Sequence, residues 1–147
     1  MADKYDDARQ NARNWYNSIV EMVEALAQAD ANGDGRAQDS ARDAITESVL
    51  SVEVRSDWYT LDNASHEPAE YRLLLTTGGP ALQLVGALNE YGEPETAELQ
   101  MQDWGVPWLE WEPLLFNPTM SRDERIAARN GYRETLLTFA RCFYFGE

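Results

Sequence analysis

One cysteine, one histidine and one lysine are all that 147 residues hold of three chemically versatile side chains. Cys142 alone closes no internal disulfide, and within the apolar run FARCFYF it reads as a small buried side chain rather than a nucleophile. His66 has no second imidazole and no cysteine cluster to complete a transition-metal site. No serine occupies the strained strand-to-helix turn of a hydrolytic triad, and TTGGP lacks the lysine and spacing of a phosphate loop. The paired acids Glu110 and Glu112 lie in an acidic stretch that gives no reason for tuned pKa values. These absences point away from an enzyme and from any cofactor. Long apolar runs are missing as well: nothing approaches the roughly 18 residues that span a bilayer. The opening MADKYDDARQN has neither the basic region nor the apolar run of a signal peptide, so a cytoplasmic setting is expected.

What is present is acid. Twenty-six aspartates and glutamates face twelve lysines and arginines, a formal charge of −14. With 44% apolar and 11% aromatic residues the chain is nevertheless too hydrophobic for a disordered polyanion. A single domain over residues 1–147 is the expectation. The charge disfavours nucleic acid and anionic membranes as direct partners, because binding phosphate needs a positive contacting face.

Hydrophobic spacing divides the chain. Tyr5, Ala8, Ala12, Trp15, Ile19, Met22 and Leu26 recur at threes and fours and predict a helix over about 4–28. Three heptads with alanine at two seam positions would make a weak dimer seam, so packing on the protein's own sheet is expected, with a homodimer as the alternative. A second helix is predicted near 38–49, burying Ala41, Ala44, Ile45 and Val49. SVEVRSDWYT alternates Val52, Val54 and Trp58 against Glu53, Arg55 and Asp57, the pattern of a half-buried strand with Trp58 as core. YRLLLTT and PALQLVGAL flank a glycine turn, and ETAELQMQDW places Ala97, Leu99 and Met101 opposite Glu98, Gln100 and Gln102. Ser121 and Glu124 form a capping box that opens a last helix reaching about residue 144, with Tyr132, Leu136, Phe139, Ala140 and Phe143 inward. The sum is an α+β fold: a four-stranded antiparallel meander packed by two N-terminal helices and one C-terminal helix.

The acid is unevenly placed. Residues 57–112 carry eleven acids against one base, Arg72, whereas residues 113–147 carry four acids against five bases. A uniform solubility coat or adaptation to a saline cytoplasm would acidify every solvated face, including the last helix. That helix instead carries Arg122, Arg125, Arg129 and Arg133 at threes and fours, a cationic stripe expected to lie against the protein's own acids. Same-face residues on a strand stand about 6.7 Å apart, close to the spacing of successive phosphates, so carboxylates on one face can substitute for a nucleic-acid backbone. The candidate partner-binding set is therefore Glu90, Tyr91, Glu93, Glu95, Glu98, Asp103, Trp104, Trp108, Glu110, Trp111 and Glu112, with indoles as anchors at the margin of an acidic plane. At least one of the three tryptophans is expected in the core.

DANGDG reproduces the first half of a calcium-binding EF loop through Asp30, Asn32 and Asp34, between two predicted helices. Ala41 occupies the position that needs a bidentate glutamate, which leaves the three only a weak metal candidate.

EVRSDWYT and the run from EYRLLLTTGGPALQLVGALNEYG to QMQDWGVPWLEW, residues 51–111, resemble small acidic proteins carried by bacterial phages, plasmids and other mobile elements; TTGGPA and QDWG are the most specific segments. That resemblance implies a bacterial host cytoplasm and raises anti-restriction or anti-CRISPR inhibition, with nucleic-acid mimicry, as the expected function. The implied partner is a basic nucleic-acid-binding protein, such as a host CRISPR effector or restriction complex. The alternative is a phage or plasmid assembly or adaptor protein acting through its helices, and a calcium-binding module is the less favoured third.

Overall fold

A computed structural model of the protein describes residues 6–62, 67–77, 80–103, 107–112 and 119–145. The chain runs through helices α1 (Asp6–Asn32) and α2 (Gly35–Glu47), strands β1 (Ser51–Ser56), β2 (Pro68–Thr76), β3 (Ala81–Ala87), β4 (Glu98–Gln102) and β5 (Leu109–Glu110), and helix α3 (Arg122–Ala140). The architecture is α+β with one antiparallel sheet in the order β1-β2-β3-β4-β5. Five strands replace the four expected. The fifth escapes a periodicity argument because two residues cannot show an alternation.

α1 outruns its predicted end by four residues, and the reason is local. Gly33, at φ 64°, follows the last helical residue; its N–H reaches the Asp30 carbonyl at 3.2 Å while the Asp34 N–H reaches that of Ala29 at 3.2 Å. This pair of bonds satisfies the last carbonyls of the helix and needs a residue that tolerates the left-handed region. Asp34 then caps α2, its side chain accepting the Ala37 N–H at 3.1 Å. The near EF loop is thus a joint between two helices: Asp30 and Asn32 remain in the last turn of α1 while Asp34 is committed as a cap. Among the described residues no group of three or more His, Cys, Asp or Glu side chains could hold a metal ion. At α3, Ser121 accepts the Glu124 N–H at 3.1 Å, half of the predicted box.

The α1 stripe faces inward. Ala8, Ala12, Ile19 and Leu26 are buried with Ile45 of α2, Leu73, Leu84, Leu99 and Met101 of the sheet, and Tyr132, Leu136 and Phe139 of α3. Each large apolar side chain so covered contributes about 1.5–3 kcal/mol, which fixes the helices to one sheet face and leaves the other to solvent. Three expectations at the margins fail. Trp58 is fully exposed rather than core, Val52 and Val54 are 43% and 45% exposed, and Ala44 is exposed. β1 is the outermost strand, and its side chains on the helical side are only half covered. α3 ends at Ala140, and Phe143 packs half-buried against the core. No described helix is long and apolar enough to cross a membrane.

Candidate partner interface

Strand register decides which acids share the open face. Glu53, Arg72, Val85 and Glu98 form one cross-strand row, Arg55, Glu70 and Ala87 a second, and Leu74, Gln83, Gln100 and Glu110 a third. On the β1–β2 side every carboxylate has a guanidinium: Arg72 donates to both Glu53 oxygens at 2.9 Å, holding that carboxyl below its usual range, and Arg55 donates to Glu70. On the far side the acids cluster. Gln83 donates to Gln100 at 2.8 Å, and Gln100 donates to Glu98 at 2.5 Å. Glu112, whose side chain is 5% exposed, accepts from Arg129 at 3.1 Å, and Arg133 lies 3.9 Å from Glu110 and 3.7 Å from Glu112. Between the two sides lies a cavity of about 660 Å³, lined by Arg72, Gln83, Val85, Gly86, Ala87 and Trp108 among others.

The acids of β4 and β5 are therefore not an open polyanionic plane. Arg129 and Arg133 of the final helix pair with Glu112, and Arg133 reaches Glu110 at 3.9 Å, so the phosphate-spaced ladder of free carboxylates expected on the sheet is interrupted by a cationic stripe. Trp111 is a core side chain, ringed by Tyr16 and Tyr132 at centroid distances of 5.5 and 6.2 Å, and is removed from any contact surface. The Tyr132 hydroxyl accepts the Leu99 N–H at 3.1 Å and donates to the Trp111 carbonyl, bridging β4 to the chain just past β5. Asp103 closes β4 at the end of the sheet opposite Glu90–Glu95. Trp104 lies outside the described residues.

Crowding of carboxylates has a measurable consequence. Partial burial first, then a hydrogen bond with Glu112 and the charges of Glu98 and Glu112, push the Glu110 carboxyl up to about 7, against the opposing pull of Arg133. A carboxyl whose folded pKa exceeds its unfolded value binds more protons folded than unfolded, so its stabilising contribution is complete below about pH 4.5 and lost as pH rises through 7. Stability should therefore fall from pH 5 to pH 8 by about 1–2 kcal/mol more in the parent than in Glu110→Gln, once solvent screening is allowed for. Urea melts at both pH values check this; parallel pH profiles for the two proteins would refute it.

Acid without counter-charge is found at one end of the sheet. The segment after β1 (Asp57, Asp62), the residue before β2 (Glu67) and the β3–β4 connection (Glu90, Glu93, Glu95) converge there, because antiparallel order brings the end of β1, the start of β2, the end of β3 and the start of β4 together. None of the six carboxylates forms an ion pair among the described residues, and Arg141 marks the border by donating to the Pro94 carbonyl at 3.3 Å. A groove of about 460 Å³ runs between Asp57, Tyr59, Glu67 and Glu90. The connection is braced: the Asn89 side-chain oxygen accepts the Tyr91 and Glu93 N–H groups at 2.9 and 3.0 Å, Gly92 takes φ 76°, and Leu88 bridges to Pro94. That brace holds Tyr91 outward at 79% exposure.

Of the sequence-derived set, Glu90, Tyr91, Glu93 and Glu95 are thus gathered at this end, Glu98 lies on the open face opposite Val85, Trp108 lines the sheet cavity, and Glu110 and Glu112 lie beside Arg133. Asp57, Tyr59 and Glu67 line one groove with Glu90 although they lie more than 20 residues away in the chain. The available signal was that they too flank predicted strands without a base nearby. No family model, no curated protein and no solved structure matches this chain.

Proposed function

We propose that this protein is a non-catalytic binder that covers the cationic, nucleic-acid-binding surface of a partner, acting as a stoichiometric inhibitor of the anti-restriction or anti-CRISPR type. The observation that carries this reading is the unneutralised acidic end, with Glu90, Glu93 and Glu95 on a braced connection and Tyr91 projecting between them. Bracing matters because a loop already held in shape loses little freedom on docking. Carboxylates at the rim speed encounter with a basic surface, and an exposed tyrosine supplies an anchor that is desolvated on contact. The docking element is the end of the sheet, not its open face.

Capture of a nucleic-acid-binding protein from bacterial lysate at low salt, followed by titration of the purified pair, tests the reading. Affinity should fall steeply with salt, be competed by duplex DNA or RNA, and drop at least tenfold for the Glu90→Gln, Glu93→Gln, Glu95→Gln triple variant. Binding unchanged by those substitutions, or a ternary complex with bound nucleic acid, would count against it.

A further inference from the structure

We infer that the outer edge of β1 is a self-complementary surface that pairs antiparallel with β1 of a second copy of this chain, joining two five-stranded sheets into one. Among the described residues no strand pairs with this edge. An unpaired edge is ordinarily blunted by charge, by proline or by shortness, and the opposite edge follows that rule with a two-residue strand. β1 is neither short nor interrupted by proline: it has six residues, and its two charges, Glu53 and Arg55, are already paired with Arg72 and Glu70 of β2. On its helical side it exposes Val52 and Val54; Leu50 at 60% and Trp58 at 102% continue the same alternation beyond its ends. Four exposed apolar side chains at even positions form a stripe that none of the described residues covers.

The charges on the other face specify the occupant. A two-fold axis requires that if residue i meets residue j, then j meets i. Placing Val54 on the axis sets Glu53 opposite the second copy's Arg55 and Arg55 opposite its Glu53. Since Arg72 already pairs with Glu53 and Glu70 with Arg55, each row across the junction then reads Arg72, Glu53, Arg55, Glu70, alternating in sign over four strands. The same register places Val54 on Val54, Val52 against Ser56, and Leu50 against Trp58. A shift of two residues toward either end destroys the alternation, putting Glu53 against Glu53 or Arg55 against Arg55, and like charges directly opposite are unfavourable. The charged face of the strand thus selects one register with an identical strand. This pairing uses none of Glu90, Glu93 and Glu95 and is argued from observations separate from the function proposed above.

Three variants of the full-length chain test the pairing. Light-scattering mass over a concentration series should give two chains per particle for the parent and one for Val54→Lys, whose ammonium groups would meet at the axis and weaken association on the order of 100-fold. In a Cys142→Ser background with oxidised glutathione as oxidant, Val54→Cys should form an intermolecular disulfide, since directly opposed Cα atoms lie about 4.5–5.5 Å apart. Val52→Cys should not, its two copies being offset by roughly 13 Å along the strands. A monomeric parent at every concentration, a dimer indifferent to Val54→Lys, or equal cross-linking of both cysteine variants would overturn the inference.

Discussion

Replacing Gly86 by alanine is expected to cost about 3–4 kcal/mol of folding stability, near the top of the range for a single methyl group. A Cβ built on Gly86 would stand 1.9 Å from the Thr96 carbonyl oxygen and 2.8 Å from the Tyr71 ring. The nearest of these atoms is backbone, and it is not free to move. The Thr96 carbonyl accepts the Tyr71 hydroxyl at 2.6 Å, the Thr96 hydroxyl accepts the Ala87 N–H at 2.8 Å, and the Glu95 N–H reaches the Ala87 carbonyl at 2.8 Å. Making room for one methyl would break this strap, which carries Glu93 and Glu95 to their places. Urea titration should show the loss, with a fall in melting temperature of roughly 10 °C. Gly131→Ala, at an open helical site, is the control and should gain up to about 1 kcal/mol. A Gly86→Ala protein within 1 kcal/mol of the parent would mean that the connection does not press on β3.

Tyr132→Phe is expected to cost about 2–4 kcal/mol through loss of one oxygen atom. The Tyr132 hydroxyl is the common partner of the Leu99 N–H and the Trp111 carbonyl, and Leu99, Trp111 and Tyr132 are all buried. Phenylalanine leaves a donor and an acceptor unpaired in an apolar surrounding, which is worse than never having made the bond. The ring itself still fills its place against Tyr16 at 5.5 Å, so packing is preserved and the effect isolates the hydrogen bonds. Amide exchange at Leu99 should accelerate much more than exchange at Leu84 on the neighbouring strand. Unchanged protection at Leu99 would show that water or another group replaces the hydroxyl.

These two residues show how unevenly the molecule could be read. Gly86 sits inside an apolar run where nothing announces that another segment crosses it, and Tyr132 fits the inward stripe of α3 as any aromatic would. Their roles come from contacts 10 and 33 positions away, which spacing within a segment does not encode. Trp58 failed for the converse reason. Alternation grouped it with Val52 and Val54, but β1 ends at Ser56, so Trp58 lies beyond the strand, and whether that side is covered depends on how far the helices extend over the sheet. The acids of 90–112 were contiguous in sequence and therefore looked like one surface. Antiparallel connectivity sent Glu90–Glu95 to one end of the sheet, Glu110 and Glu112 to the β5 edge under Arg129 and Arg133, and Trp111 into the core.

What the sequence alone determined is the set of elements: the three helices with the Ser121 cap, the antiparallel meander, the inward stripe of α1 and the concentration of acid in the middle of the chain. Those features follow from periods of 3.6 and 2 and from turn chemistry, all local along the backbone. Tertiary structure decided which charges are cancelled and which remain, because neutralisation depends on distances of a few ångströms between residues far apart in the chain. It likewise decided that the uncovered strand is β1, and so which apolar side chains are left facing water.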